Sequence, residues 1–162
     1  MPGRIKLLIA DDEIKFLESI AKRLEMRDFE VTKATNGQEA LTIAGSQKFD
    51  LALLDLKMPG VNGRQVLEVL KREHRFLEVI ILTGHGSLDS AVECTKLGAF
   101  DYLPKPYELE KLLEVLRRAY EARLQKKFEA DQERLEKIAD MATGSSALSI
   151  LRELRKLDDD EK

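Results

Sequence analysis

The chain has 162 residues, with 27 Lys plus Arg against 30 Asp plus Glu, a formal net charge of −3 and an apolar share of 43%. At roughly 100–200 residues per domain this is about one core's worth, and it is too apolar for a disordered chain. The near-balanced charge excludes a general attraction to nucleic acid or anionic lipid. The one cysteine, Cys94, supports neither an internal disulfide nor a cysteine zinc site. With no export signal before Asp11 and no apolar run near the ~20 residues that span a bilayer, the expected location is the cytoplasm, with no direct contact to membrane or nucleic acid.

Read in chain order, residues Ile5–Ala10 form the first strand candidate, and Ile14, Leu17, Ile20, Ala21 and Leu24 then recur at helical spacing. Phe29–Ala34 is the second strand, followed by a short helix from Gly37 to Ala44 that Asn36 can cap. Residues 49–54 are the third strand, followed by helical spacing at Val66, Leu67, Val69 and Leu70. Residues 79–82 are the fourth, followed by Ala91, Val92 and Thr95; residues 100–103 are the fifth, followed by Leu109, Leu112, Leu113 and Leu116. The runs LLIA, LALL and VIIL are wholly apolar, as expected for parallel strands covered on both faces, so strands one, three and four should be central. Fivefold βα alternation predicts an α/β, doubly wound parallel sheet with right-handed crossovers.

After Tyr120 the strand signal ends. Leu113, Leu116, Tyr120, Leu124, Phe128, Leu135, Ile138 and Ala142 continue near a 3.6-residue period, which predicts one helix of about 35 residues protruding beyond the domain. Residues 143–146 (TGSS) break it, and Ser145 or Ser146 can cap a short amphipathic helix carrying Leu148, Leu151, Leu154 and Leu157. The expected organisation is a domain over 1–120, a helical extension over 121–142, a short helix within 143–157 and an acidic, disordered end over 158–162.

Ligands of open parallel sheets bind at the carboxyl ends of the strands. Strand one ends in Asp11 and Asp12, strand three in Asp55, strand four in Thr83 and Gly84, and strand five runs into Lys105 and Pro106. Carboxylates gathered in one crevice repel each other unless a cation joins them, and hard oxygen donors suit Mg²⁺. No GxGxxG or GxxxxGK[ST] follows strand one, which argues against a nucleotide site. A carboxylate beside Mg²⁺ and a lysine can attack a phosphoryl donor. Asp55, alone at the end of a central strand, is the best nucleophile candidate, and the adjacent Asp11 and Asp12 are better placed for metal.

The set Asp11-Asp12, Asp55 followed by MPGVNG, Thr83-Gly84, Tyr102 and Lys105-Pro106 resembles the receiver domain of two-component response regulators, over about residues 4–120. Residues 82–106 (LTGHGSLDSAVECTKLGAFDYLPKP) are most similar to receivers of NtrC-type regulators. The resemblance implies a flavodoxin-like (βα)5 fold of strand order 2-1-3-4-5, carrying the C-terminal helical extension. It implies Asp55 as phosphoacceptor, Asp12 as direct Mg²⁺ ligand, Asp11 assisting, and the backbone carbonyl of Lys57 as a further ligand. Thr83 would bond the phosphoryl group, Lys105 would pair with its oxygens, Tyr102 would change rotamer, and the Lys105-Pro106 peptide would be cis. The implied function is a switch, not a classical enzyme: a histidine kinase or phosphotransfer protein donates the phosphoryl group, and the domain catalyses its own phosphotransfer and dephosphorylation. The readout would be the surface of the fourth helix, fifth strand and fifth helix, together with the C-terminal helix, toward a downstream protein or a second copy.

Asn62 stands where the family often has Asp, a loop position that leaves the chemistry untouched. Nothing after residue 120 resembles an ATPase module or a helix-turn-helix. His85 and Gly84 read as rim residues, with His85 tuning water access instead of serving as a phosphodonor; His74 reads as surface and Cys94 as a small packed side chain. The apolar stripe of the long helix favours a dimer seam over folding back, although a 3.6-residue period specifies no long coiled coil. Two other readings compete. A stand-alone phosphohydrolase would carry an acid two residues after its nucleophile, where this chain has Lys57. A constitutive scaffold would use the domain as a docking module only.

Overall fold

Side chains of a strand alternate between the faces of its sheet, and here that alternation sorts the apolar runs into two cores. The computed structural model describes residues 3–142 and 147–160; side chains at 141–142 and 157–160 lie outside the description. The strands are β1 (Ile5–Ala10), β2 (Phe29–Ala34), β3 (Leu51–Leu54), β4 (Glu78–Thr83) and β5 (Asp101–Pro104), and the helices are α1 (Ile14–Glu25), α2 (Gly37–Ser46), α3 (Gly63–Glu73), α4 (Leu88–Lys96), α5 (Leu109–Ala142) and α6 (Ala147–Asp160). All strand pairs are parallel, in the order β2-β1-β3-β4-β5. The three strands that carry the wholly apolar runs are therefore the central ones, as their composition predicts.

The chain divides into two units, Met1–Arg123 and Leu124–Lys162. In the first, Leu8, Ala10, Ala52, Leu54, Val79 and Ile81 face one core with Ala40 and Ala44 of α2, Val66, Leu67 and Leu70 of α3, and Cys94 of α4. Leu7, Ile9, Leu51, Leu53, Ile80 and Leu82 face the other, packed on Leu17, Ile20 and Leu24 of α1 and Leu112, Val115 and Leu116 of α5. Each fully buried Leu or Ile contributes about 1.5–3 kcal/mol by leaving water, so the two faces hold the sheet and its strand ends in place.

Helix starts follow local chemistry. Asn36 accepts the Glu39 amide at 2.8 Å and caps α2. Ser87 caps α4 through the Ser90 amide. Asn62, expected only as a loop residue, caps α3 in a reciprocal box with Gln65.

Some details differ from expectation. Ile14 is half exposed, because the buried stripe of α1 starts one turn later at Leu17. In α4 the buried residue is Cys94, and Val92 faces outward. Phe49 packs in the core without joining the ladder of β3.

In the second unit, Ala130 and Ile138 are buried, and Leu124, Phe128, Leu135, Leu148, Leu151 and Leu154 are exposed. Helix α5 runs for 34 residues, and α6 continues to Asp160, past the Leu157 at which the sequence reading ended it. The expected break at 143–146, with its Ser145 or Ser146 cap, and residues 161–162 of the expected tail lie outside the described residues. No described helix is long and apolar enough to cross a membrane.

Candidate functional site

The register of the sheet brings distant residues together at one edge. Ala10 pairs with Leu54, so Asp11 and Asp55 leave adjacent strands at the same level, and the Asp55 amide donates to the Ala10 carbonyl at 3.0 Å. Thr83 ends β4 opposite Pro104, and the Lys105 amide donates to the Thr83 carbonyl at 2.9 Å. The Lys105-Pro106 peptide is cis.

Asp11, Asp55 and Thr83 are buried, at 2%, 1% and 1% exposure, in a sheet whose other strand ends are apolar. Such groups are costly unless paired. Lys105 Nζ lies 2.6 Å from Asp11 Oδ2, 3.2 Å from Asp55 Oδ2 and 3.4 Å from Glu13 Oε1. The Thr83 hydroxyl donates to Asp55 Oδ1 at 2.6 Å, and the Lys57 amide donates to the same oxygen at 3.3 Å. The two oxygens of Asp55 thus have different partners. Glu13 N–H donates to Asp11 Oδ1, and His85 N–H donates to the Thr83 hydroxyl. The ammonium of Lys105 also sits 4.1 Å from the centroid of the Phe16 ring, which itself meets Tyr107 edge to face.

These contacts set the electrostatics. Burial pushes the Asp11 carboxyl above its ordinary range, and the bond from Lys105 only partly opposes that. Burial would lower Lys105, but its hydrogen bond with Asp11 and the charges of Asp11 and Asp55 outweigh it, so the ammonium titrates above its usual value. At neutral pH the lysine is charged. Asp11, Asp12 and Asp55 each offer a carboxylate oxygen, all within 4.8 Å of one another. One ammonium does not balance three carboxylates, and this all-oxygen donor set fits a small hard cation such as Mg²⁺.

Of the residues singled out in the sequence, Asp11, Asp12, Asp55, Thr83 and Lys105 meet in the crevice. Lys57 and His85 border it through their amides, and a Cβ on Gly84 would touch the Lys105 side chain. The Tyr102 hydroxyl makes no hydrogen bond to the crevice carboxylates, although the charge of Asp55 still reaches it. The side chain packs against the α2–α4 core, its hydroxyl buried without a hydrogen-bond partner, and burial pushes the phenol pKa up.

Sequence reasoning passed over four contributors. Glu13 and Phe16 complete the surroundings of Lys105, and Glu13, directly after the Asp pair, could have been noticed. Gly63 lets the first turn of α3 press on the site strand, since a Cβ there would lie 2.0 Å from the Asp55 carbonyl oxygen. Gly86 leaves room for the inward Tyr102, whose hydroxyl would lie 1.6 Å from a Cβ at that position. Neither glycine has a signal in one sequence, because the requirement arises only when separate segments meet.

Comparison with known proteins gives a consistent picture. A family model described as response regulator receiver domain matches residues 7–117. An NtrX-like response regulator of Rickettsia typhi is 36% identical over 121 residues, 74% of this chain and 26% of its own length. The DNA-binding transcriptional regulator NtrC of Salmonella typhimurium is 36% identical over 111 residues, 68% of this chain and 24% of its own. Among solved structures, a CheY-like receiver domain protein from Methanospirillum hungatei superposes with a TM-score of 0.74 at 30% identity, covering 76% of this chain and 99% of that one. NtrX from Brucella abortus, in complex with ADP, gives 0.74 at 27% identity, covering 81% of this chain and 29% of that one. The chain spans about a quarter of the length of the curated relatives it matches.

Proposed function

The chain belongs to the response regulator receiver domain family of two-component signalling, and on that premise we propose that it is a phosphorylation-dependent switch with Asp55 as phosphoacceptor. One observation carries the reading: Lys105 and Thr83 hold the two oxygens of a buried Asp55 carboxylate from opposite partners. That orients a nucleophile and places donors where phosphoryl oxygens would arrive.

In the transfer, an Asp55 oxygen attacks phosphorus in a phosphohistidine of a kinase or phosphotransfer protein. The P–O bond forms, the P–N bond breaks, and the imidazole leaves with the electron pair and takes up a proton. Asp12, Asp55 and Asp11, with the Lys57 carbonyl, would hold Mg²⁺, which neutralises charge on the phosphoryl oxygens when bound. Lys105 turns its ammonium, and Thr83 its hydroxyl, to the new phosphoryl group, which adds about −1.5 to −2 charges. Water later hydrolyses the acyl phosphate, with His85 and Gly84 at the rim of its access.

The readout assigned to this charge is the surface of α4, β5 and α5, on which Leu88 and Val92 are exposed, and the extension of α5. Thr83 movement biases Tyr102, and the modification shifts the populations of two states. A downstream protein or a second copy of the chain, in the cytoplasm, takes up that surface.

Incubation with acetyl phosphate and Mg²⁺ should add about 80 Da, as one acyl phosphate does, and Asp55→Asn should abolish the adduct. Absence of any Mg²⁺-dependent adduct in the wild-type chain would sink the reading. Thr83→Ala should still be phosphorylated, yet show a weaker change in amide exchange over α4 and β5.

A further inference from the structure

Beside the carboxylate crevice lies a second concavity of about 300 Å³, and none of Asp11, Asp12, Asp55, Thr83 or Lys105 lines it. Leu56, Met58 and Cys94 give it an apolar part, and Lys57, Arg64 and His85 bring basic side chains to it. Met58 and Cys94 are buried. The acid facing this group is Glu93 of α4, whose Oε2 lies 2.5 Å from Arg64 Nη1, with both side chains about half exposed at 50% and 47%.

We propose that this cavity binds a small organic monocarboxylate, its apolar body on Leu56, Met58 and Cys94 and its carboxylate on Arg64 and Lys57. The volume is at the lower end of ligand pockets and suits a body of about one ring. A planar guanidinium is made for a carboxylate, and Arg64 already holds one in Glu93. An exposed ion pair of that kind contributes little, so a ligand carboxylate can take the place of Glu93 without a large loss. The charge of the ligand is limited from the other side. The Asp11, Asp12 and Asp55 cluster is next door through Leu56 and Lys57, and before Mg²⁺ joins it the single Lys105 ammonium leaves it net negative, which repels a dianion such as a phosphate monoester more than a monoanion.

Part of the cavity wall, at residues 56–58 and His85, is formed by the loops that follow Asp55 and Thr83. The Lys57 amide bonds Asp55, and the His85 amide bonds the Thr83 hydroxyl. An occupant wedged between these loops therefore alters how long a phosphoryl group on Asp55 survives, a consequence that rests on the phosphoacceptor reading, whereas the binding itself does not.

The test uses the full, ¹⁵N-labelled chain titrated with benzoate, and with benzyl alcohol as a neutral molecule of similar shape. Expected are saturable shifts at the amides of residues 56–58, 64, 85 and 94, with benzyl alcohol binding severalfold more weakly, the scale of a half-exposed charged contact. Arg64→Gln, an exposed substitution, should weaken benzoate several-fold and leave benzyl alcohol unchanged. Cys94→Leu, which fills the apolar part, should abolish both. Shifts that do not saturate, that are equal for the two probes, or that ignore Arg64→Gln would overturn the proposal. Benzoate binding by a chain that never forms the Asp55 adduct would overturn the switch and leave the pocket standing. An adduct without benzoate binding would overturn the pocket alone.

Discussion

Two stretches of helix-forming sequence with the same kind of apolar periodicity end differently in this molecule. Up to Arg123, Leu17, Ile20, Leu24, Leu67, Leu70, Leu112 and Leu116 sink against the sheet and are almost wholly buried. Beyond it, Leu124, Phe128, Leu135, Leu148, Leu151 and Leu154 stay 41–61% exposed, and among the described residues of that unit only Ala130 and Ile138 are buried apolar side chains. A 3.6-residue period specifies a helix, but a core needs a second surface to close on. In the first unit that surface is the sheet. In the second, local pairs such as Gln125 with Glu129 and Lys156 with Glu153 support the helices one turn at a time, each weakly.

The contrast is broken most directly by truncating one residue on each side. Ile80, fully buried in the central strand β4, should lose about 2–5 kcal/mol as Ala. Leu151→Ala, at 61% exposure, should stay within about 0.5 kcal/mol. Urea unfolding of both variants decides it. A loss at Leu151 comparable to that at Ile80 would mean that the second unit has a core of its own.

The next effect lies at the boundary. Arg123, the last residue of the first unit, donates from Nη1 to the Phe76 carbonyl at 2.8 Å and places Nε 3.2 Å from Asp50 Oδ1, with side chains only 16% and 23% exposed. Asp50 Oδ2 also accepts the Lys6 amide, so the arginine ties α5 to the start of β1 and β3. Arg123→Ala should cost about 1–3 kcal/mol, the cost of leaving polar partners unmade. Amide exchange should accelerate in the turn of α5 that ends at Arg123 and stay unchanged in β3. Unaltered exchange there would show that packing alone ends the first unit.

How much of this was legible depends on whether the information was local. Strand composition indicated which strands are central, and the residues after each strand named the crevice, because a parallel sheet converts sequence position into shared location. Register and packing were not legible. No single-sequence signal tells that Gly63 must admit the Asp55 backbone, or that Phe16 lies beside the Lys105 ammonium. Asn62 is a different case: Asn-x-x-Gln ahead of Val66 and Leu67 is a capping box readable from local sequence alone, whatever the family pattern places there. Asn62→Ala should cost about 1 kcal/mol by urea unfolding, with α3 fraying first. No change would reduce the box to a surface ornament.

The smallest effect concerns charge in the first unit and depends on sign. Asp11 titrates above the ordinary 3.8 because burial opposes its ionisation. A group whose pKa is raised by folding stabilises the fold below its unfolded value and loses that contribution as pH rises through its folded value. Metal-free stability of the wild type, taken relative to Asp11→Asn, should therefore fall as pH climbs from 3.8 through the raised value, then level off. Lys105 is also raised, above 10.5, so its contribution is complete at neutral pH and disappears only in strong alkali. The Asp11 titration starts from 3.8 and that of Lys105 lies above 10.5, and urea unfolding with a chelator present follows the difference between wild type and Asp11→Asn across that span. A difference between wild type and Asp11→Asn that rises with pH on the acid limb would mean that Lys105 more than offsets the burial of Asp11. The crevice would then be held together by its ion pair instead of strained by its carboxylates.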